Sequence, residues 1–401
     1  MYRYSDRLSA LRAPQNRFSI LLAQLRAEGR PLLDLTVSNP TEALADYPHA
    51  EISKVLGSIT DFRYQPEPFG NIDARQAIIR RLEKRLGSVR ISPANLALTA
   101  STSEGYAVLF KLLANPGDEI LVPTPSYPLF DYLAQLEALR PRPYRLAYDG
   151  SWFIDFASLE DAVSERTRAL IVVNPNNPTG SFLRVAEFER LRAFALRHRL
   201  PLISDEVFTD YVFAESADQV RTLNGRHELL SFTLNGLSKA AGMPQMKLGW
   251  IAVNGPPAER DAACSRLELI LDTYLSVSAP VQLATESLLV IGRTIQDRIS
   301  VRVRNNVAAL DELLAGSAVH RLHSDGGWSA VLRVPQILSE EEWITRLLQE
   351  QGVIVQPGYF FDMQGEALLV VSLLTPEERF GEGIRRILKL TSKIQGIESI
   401  S

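Results

Sequence analysis

The sequence predicts an α/β fold, in which a large domain with a mostly parallel sheet flanked by helices is joined to a smaller α+β domain. Short β-branched runs alternate with longer helical patterns through the middle of the chain, and this alternation is typical of parallel strands covered by helices. The run at 169–173 is apolar throughout, which indicates a strand buried on both faces. After residue 256 long helical patterns take over, and a shorter mixed pattern follows them.

These patterns place the individual elements. We predict strands of the large sheet at 96–99, 119–122, 169–173, 201–204, 230–233 and 248–253, with helices at 103–113 and 185–199. In the C-terminal part we predict long helices between 257 and 314, strands at 328–332 and 367–371, and helices at 340–349 and 376–388. We assign residues 41–285 to the large domain, and residues 1–40 and 286–401 to the small one.

The composition is ordinary for a globular protein that is large enough to fold without disulfides or structural metal ions. The chain has 401 residues, 46% of them hydrophobic and 22% charged, and a net charge of −4. No basic block indicates nucleic acid binding, and the apolar runs are too short to span a bilayer. The first eight residues lack the apolar segment of a secretory signal. Cys264 is the single cysteine, so no intramolecular disulfide can form, and we expect a reducing, cytoplasmic location.

Polar clusters directly follow three of the predicted strands. They are the hydroxyl run at 101–103, the Asn-Pro-Asn-Asn-Pro-Thr-Gly run at 174–180, and Asp205 with Glu206. In parallel α/β sheets the ligand site lies beyond the carboxyl ends of the strands. We therefore expect these clusters to converge on one site, although each alone also fits a bland structural role as a helix cap or turn.

Lys239 is out of place in its surroundings. It follows Ser238 in a stretch of small and apolar residues, and no carboxylate lies within eight residues of it. Lysine is costly to desolvate, and a desolvated lysine loses its proton more easily and becomes a nucleophile toward carbonyls. Taken alone, the residue also fits a solvated loop lysine.

In their order and spacing, these segments resemble the aspartate-aminotransferase-like family of fold type I pyridoxal-phosphate enzymes, the class I/II aminotransferases. The resemblance extends over residues 33–388. It implies that Lys239 forms a Schiff base with pyridoxal 5'-phosphate and that Asp205 pairs with the pyridinium nitrogen. Tyr127 would stack on the ring, Asn177 would bind the phenolic oxygen and reach the substrate, and Tyr64 would reach the phosphate of a neighbouring subunit. A homodimer with shared sites is therefore implied.

The same resemblance implies how the phosphate is held. The loop with Ser101, Thr102 and Ser103 would cup it, because backbone N–H groups at a helix start suit an anion. Ser238 and Lys247 would also bind the cofactor. The family has arginine where this chain has Lys247, and lysine supplies charge without a planar fork.

Further departures mark an atypical subfamily. Gly236 stands where the family has serine, and Phe208 where it has tyrosine. The family arginine that clamps the substrate α-carboxylate is expected near Val370, and that strand contains no arginine. We consider Asn177, Ser38, Asn39 and Lys247 as substitutes, and the sequence does not choose among them.

The resemblance implies an aminotransferase that moves an amino group between an amino acid and a 2-oxo acid. Because a fold does not decide reaction type, two alternatives stay open at this point. The same carbanion chemistry could serve β-elimination, decarboxylation or racemisation, or the chain could be an inactive cofactor-binding regulator. No metal ligand set is predicted.

Overall fold

The computed structural model describes residue 2 and residues 4–7, 17–87, 90–365 and 367–396. The strands are β1 (Leu33–Asp34), β2 (Leu96–Thr99), β3 (Glu119–Thr124), β4 (Arg140–Tyr148), β5 (Trp152–Ile154), β6 (Thr167–Val173), β7 (Leu202–Asp205), β8 (Ser231–Gly236), β9 (Gly249–Asn254), β10 (His320–Arg321), β11 (Ser329–Arg333), β12 (Val353–Ile354), β13 (Gln356–Pro357) and β14 (Leu368–Ser372). The helices are α1 (Arg17–Ala27), α2 (Pro40–Ala43), α3 (His49–Gly57), α4 (Ile72–Leu86), α5 (Thr102–Leu113), α6 (Phe130–Leu136), α7 (Phe156–Ala162), α8 (Val185–His198), α9 (Leu237–Ala240), α10 (Pro257–Tyr274), α11 (Ala279–Leu314), α12 (Glu340–Arg346) and α13 (Glu377–Ile394).

An eight-stranded sheet with the order β2-β9-β8-β7-β6-β3-β4-β5 forms the large layer. Strands β8, β7, β6, β3 and β4 run parallel to their neighbours within this group, whereas β9 is antiparallel to both β2 and β8. The predicted α/β class with a mostly parallel sheet is confirmed. Because β9 runs the opposite way, the residues before it lie at the same sheet edge as the residues after the parallel strands.

Two small sheets form a second layer. Strands β10-β11-β14-β13 make an antiparallel sheet, and β1 pairs in parallel with β12. The pairing of β1 ties the N-terminal segment to the C-terminal part of the chain. Residues 1, 3, 8–16, 366 and 397–401 of that predicted domain lie outside the described residues. The predicted division at 285/286 falls inside the continuous helix α11, and the domain boundaries stay a prediction.

The edge strands β4 and β5 are absent from our sequence prediction. The first half of β4 contains Pro141 and Pro143 between arginines, a composition that reads as a loop. These residues pair only with β3, and an edge strand tolerates proline because its outer side needs no N–H donor. The six predicted strands of the large sheet are all present, with ends that differ by up to three residues.

The main apolar core is shared between the two layers. It includes Leu98 of the large sheet, Ile295 of α11 and Leu369 of the small sheet. Helix α11 passes close to the loop after α9, because a Cβ at Gly292 would lie only 2.4 Å from the Cβ of Ala241. This contact fixes the position of the short helix that carries Lys239.

Within the described residues, no single helix is long and apolar enough to cross a membrane. Helices α10 and α11, which meet at 118°, pass that test of length and composition only when they are taken together.

Candidate functional site

A cavity of about 370 Å³ opens at the edge where the parallel strands of the large sheet end. It brings together most of the residues that the sequence analysis singled out: Ser38, Ser101, Thr102, Ser103, Tyr127, Asn177, Asp205, Ser238, Lys239 and Lys247. Asn39 and Tyr64 do not line it. The predicted convergence of distant polar clusters therefore occurs for ten of the twelve candidates.

Five neighbouring strand ends deliver the main polar residues of the cavity. From one side of the sheet to the other, Ser101 follows β2, Lys247 precedes β9, Lys239 follows β8 and Asp205 ends β7. Asn177 follows β6, which is the next strand. The register Thr99–Gly249–Gly236 joins the first three of these ends side by side. The sequence folds in this way because each buried apolar strand stops where its polar cluster begins.

Lys239 lies in the short helix α9 and is half-buried. Burial lowers the pKa of its ammonium group, and the carboxylate of Asp205 opposes that shift. Its Nζ lies 5.4 Å from the ring centroid of Trp328 and 5.9 Å from that of Phe208. The hydroxyl of Tyr211 donates to the backbone carbonyl of Lys239 at 2.5 Å. The lysine is therefore held by its backbone, while its amine faces a partly apolar wall that favours the neutral form.

Asp205 is a buried carboxylate at the centre of the site. The hydroxyl of Tyr106 donates to Oδ2 at 3.0 Å, and the backbone N–H of Val207 donates to Oδ1 at 3.1 Å. Burial raises the pKa of Asp205 to about 6, although both hydrogen bonds and the charge of Lys239 oppose the rise. A carboxylate in this position is best stabilised by a cationic N–H donor placed in the cavity.

The start of helix α5 offers backbone donors to the cavity. Ser101 is the N-cap, and its hydroxyl accepts from the N–H of Glu104 at 3.1 Å. The structural role that we considered for this serine is thus observed. The N–H groups of Thr102 and Ser103 in the first turn have no intrahelical partner, and both residues line the cavity. Such donors at a helix N-terminus favour an anion.

Lys247 adds a positive charge beside this helix start. Its backbone is left-handed, with φ of 50°, and its exposed side chain has no ion pair or hydrogen bond with the part of the chain that the structure describes. A Cβ at Gly249 would lie 2.9 Å from the carbonyl carbon of Ser101, so the segment after Lys247 passes directly against the loop that precedes α5.

The glycine at 236 has a packing reason. Gly236 pairs with Gly249 across β8 and β9, and a Cβ at Gly236 would lie 3.0 Å from the Cα of Gly249 and from the carbonyl oxygen of Leu248. A serine here would meet backbone that cannot move aside easily. Strands β8 and β9 therefore approach closely at position 236, where the family has serine and this chain has glycine.

Asn177 is the residue of its motif that reaches the cavity. Asn174 is buried and joins Leu183 and Val220 by its amide, and Asn176 bonds Pro125. In contrast, Asn177 is half-buried, and its Oδ1 accepts from the hydroxyl of Ser329 at 3.2 Å. The motif thus combines a structural turn with one amide that faces the site.

Two of the candidates lie elsewhere in this chain. Asn39 caps helix α2, where its Oδ1 accepts from the N–H of Thr41 at 3.1 Å and its Nδ2 donates to Glu42 at 2.9 Å. Its amide is therefore occupied, and only the neighbouring Ser38 reaches the cavity. Tyr64 is 75% exposed and stands away from the cavity of its own chain.

Several lining residues were not recognised in the sequence. They are Thr36, Ser126, Leu129, Phe130, Val173, Val207, Leu248, Trp328, Ser329, Gln356, Phe361 and Ser372. Trp328, Ser329, Gln356 and Ser372 come from the small antiparallel sheet or its border, where no motif marks them. Trp328, Ser329 and Ser372 lie in or next to predicted strands of the small domain, whereas no sequence signal marked Gln356.

The residues present fit pyridoxal 5'-phosphate. The buried carboxylate of Asp205 calls for a protonated ring nitrogen, and the free amides of α5 with unpaired Lys247 suit a phosphate dianion. Lys239 lies between Asp205 and the start of α5 in the order of the strand ends. Burial lowers the pKa of its ammonium group, as attack on a carbonyl requires. Among the described residues, no group of His, Cys, Asp or Glu side chains is placed to hold a metal ion.

Comparison with known proteins identifies the family of the chain. The family model for class I and II aminotransferases matches residues 30–387. Alanine aminotransferase of Mycobacterium tuberculosis is 28% identical over 297 residues, which is 74% of this chain and 68% of that protein. Glutamate-pyruvate aminotransferase AlaA of Escherichia coli is 27% identical over 266 residues, which is 66% of this chain and 65% of that protein.

A solved structure shares the fold. An alanine aminotransferase from Pyrococcus furiosus superposes with a TM-score of 0.86 at 23% identity, covering 98% of this chain and 100% of the other. Since the family match spans nearly the whole chain, the protein belongs to the class I and II aminotransferases and is a pyridoxal-phosphate-dependent transaminase.

Proposed function

We propose that the protein takes its amino group from alanine and passes it to a 2-oxo acid. Two sets of relatives, at 28% and 27% identity, are named for alanine and for glutamate-pyruvate transamination. The observation that carries the proposal is the charge of the cavity. Lys239 and Lys247 are the cations among its described lining residues, and neither is available to a second carboxylate on the donor. A donor with a small uncharged side chain fits best.

Bound pyridoxal 5'-phosphate supplies a carbonyl for the amine and a protonated ring that withdraws electrons from the substrate α-carbon. Asp205 keeps the proton on the ring nitrogen by its negative charge. Once its amine is free, Lys239 takes the proton from the substrate α-carbon. It would then deliver this proton to the cofactor carbon that is bonded to the substrate nitrogen. Phe208 and Trp328 pack edge to face at 5.4 Å and keep water from this amine.

The proposal is tested with a panel of amino donors and the cofactor-loaded protein. Alanine with 2-oxobutyrate should give pyruvate and 2-aminobutyrate, and Lys239→Ala should abolish both products. 2-Oxobutyrate is the first acceptor to try because it carries a single carboxylate. 2-Oxoglutarate, which the name of one set of relatives suggests, should react more slowly because its second carboxylate meets no free cation in the cavity. If pyruvate and ammonia form from serine without any 2-oxo acid, elimination rather than transamination is the main activity. If alanine is inert while another donor reacts, the proposed donor is wrong.

A homodimer with shared sites is the second part of the proposal. Tyr64 and Phe62 are 75% and 70% exposed, and Leu269 and Val290 are 72% and 69% exposed. Contiguous apolar surface is typical of an interaction site, and the proposal places these side chains in the interface between two subunits. Tyr64 would then reach the cavity of the other subunit, as the family resemblance implies.

Mixing two inactive variants tests this sharing. In a heterodimer of Lys239→Ala and Tyr64→Ala, one site receives both intact residues and the other receives neither. Random exchange at equal amounts should therefore restore about a quarter of the wild-type sites. No recovery, with light scattering that shows a monomer, would refute the shared site.

We further propose a cytoplasmic location, supported by the single cysteine, which is half-buried and unpaired. Fractionation of cells that produce the protein, with a periplasmic marker as control, tests it.

A further inference from the structure

The place of the missing arginine is filled by apolar packing. Val370 is 1% exposed and belongs to a cluster with Trp152, Val331 and Phe361. Phe361 also lines the cavity, so this cluster forms part of the cavity floor. A cation from this position of β14 is therefore absent, and substrate contacts must come from neighbouring positions.

Gln356 lies directly beside Val370. The two residues are opposite each other in the pairing of β13 with β14, so their side chains share one face of the sheet, with Cβ atoms about 5 Å apart. Gln356 is half-buried and lines the cavity. Its side-chain amide makes no hydrogen bond with any described residue. It is the polar group nearest to the expected arginine position on this face.

The hydroxyl groups of the same sheet face are already in use. Ser372 donates to the carbonyl of Val37 and accepts from the N–H of Leu374. Ser329 donates to Oδ1 of Asn177. That bond orients the amide of Asn177 and leaves its Nδ2 without a partner among the described residues. Two NH₂ groups, from Asn177 and Gln356, therefore face the cavity unpaired.

We propose that Gln356 is a substrate-binding residue which, together with Asn177, holds the substrate α-carboxylate by neutral hydrogen bonds in place of an arginine salt bridge. The amide NH₂ groups are donors that match a carboxylate oxygen each. The only carboxylate among the lining residues is Asp205, and it is occupied with Tyr106 and Val207. This inference rests on the proposed amino-acid substrate, and it adds the residue that recognises its acid group.

A neutral clamp has a recognisable signature. Hydrogen bonds between neutral donors and an anion depend weakly on ionic strength, whereas an exposed ion pair is screened by salt. Removal of one donor to a charged group weakens binding by about tenfold to a hundredfold. Replacement of the donor by a carboxylate of the same size weakens binding further, because like charges repel.

The experiment uses the cofactor-loaded protein with propionate and propionamide, which carry no amine and cannot be turned over. Their dissociation constants are obtained from the visible absorbance of the bound cofactor. The wild-type protein should bind propionate at least about tenfold more tightly than propionamide, since the amide turns an NH₂ toward one of the two donors. The preference should change little between about 0.05 and 0.5 M salt.

The variants then assign the preference to one side chain. Gln356→Met keeps the size and should lose about tenfold in propionate affinity, and Gln356→Glu should lose more. Propionamide should bind Gln356→Glu at least as tightly as the wild type, because the new carboxylate accepts from its NH₂ group. Gln349→Glu, on an exposed residue of the turn after α12, makes the same change of charge away from the cavity and should match the wild type. Cofactor absorbance verifies that each variant is folded, and Gln356→Asn replaces any variant that does not load.

The outcomes separate this inference from the proposed function. Equal propionate affinity in the wild type and Gln356→Met, or no wild-type preference for propionate, overturns the clamp. If Gln356→Glu binds propionate as tightly as the wild type, the group held beside residue 356 is not an anion, and the clamp is also overturned. Failure of the proposed donor is seen independently, as the absence of pyruvate from alanine while propionate still binds.

Discussion

Asp205→Asn should stabilise the cofactor-free protein while it damages the cofactor-loaded enzyme. The folded protein raises the pKa of Asp205 from 3.8 to about 6 by burial. A group whose pKa is raised on folding contributes its full stability below its unfolded pKa and loses it as the pH rises through the folded pKa. The penalty therefore grows between pH 4 and 6 and is constant above that range. At 1.36 kcal/mol for each unit by which the pKa is raised, the penalty reaches about 3 kcal/mol.

Asparagine removes this penalty and keeps the size and shape of the side chain. The hydroxyl of Tyr106 can turn to accept from the new NH₂ group, and the N–H of Val207 still has an oxygen to bond. At pH 7.5 the cofactor-free variant should melt roughly 3–6 °C above the wild type. At pH 5.0 the gain in the free energy of unfolding should be about half as large.

The assay is calorimetric or circular dichroism melting of cofactor-free protein at both pH values. Asp161→Asn, on an exposed residue of α7, is the matched control and should stay within about 0.5 kcal/mol of the wild type. The loaded variant should lose about a hundredfold or more in kcat, because a preorganised charge at the reacting centre is removed. A cofactor-free variant that is no more stable than the wild type at pH 7.5 refutes the reasoning.

Three further predictions concern single residues. Gly292→Ala should lower the free energy of unfolding by about 1–2 kcal/mol, because overpacking against Ala241 exceeds the gain in helix propensity. Gly381→Ala, where the new Cβ makes ordinary contacts only, should raise it by about 0.5–1 kcal/mol. Urea unfolding measures both changes, and changes of the same sign would contradict the prediction. Lys247→Ala should weaken cofactor binding about tenfold or more in fluorescence titration, with Lys247→Arg near wild type; an unchanged dissociation constant for the alanine variant would exclude a phosphate contact. Phe208→Tyr should move the visible titration of the loaded enzyme to lower pH, because the added hydroxyl stabilises the anionic phenolic oxygen; an unmoved midpoint would place the hydroxyl out of reach.

The strand ends of the large sheet were predictable from the sequence. Asn177 follows the apolar strand β6, Asp205 ends β7 and Lys239 follows the buried strand β8. The physical rule that ligands bind beyond the carboxyl ends of parallel strands brings them together. The position of Lys247 before an antiparallel strand also agrees with this edge. These features depend on local sequence and on topology, and both are readable without coordinates.

Other parts of the site depend on tertiary contacts that no local pattern records. Gln356 belongs to a two-residue strand, and only its register with Val370 gives it a place at the site. Asn39 carries a suitable side chain, yet the neighbouring helix α2 takes it as a cap. The hydroxyl of Ser101 likewise serves its own helix. A local hydrogen bond competes with a ligand for the same polar atom, and the sequence alone does not tell which one wins.

The delivery of each ligand-binding residue from its own strand end has an evolutionary consequence. Phe208 follows β7 and Lys247 precedes β9, which lie two strand spacings, or roughly 10 Å, apart. Substitutions at such separations change the free energy of unfolding almost additively when the residues do not contact each other and share no partner. One contact can therefore be lost or exchanged without disturbing the others, and new substrate preferences can accumulate one residue at a time. The chain, with replaced partners at 208, 247 and 370 around an intact Lys239 and Asp205, is consistent with a history of such separate steps.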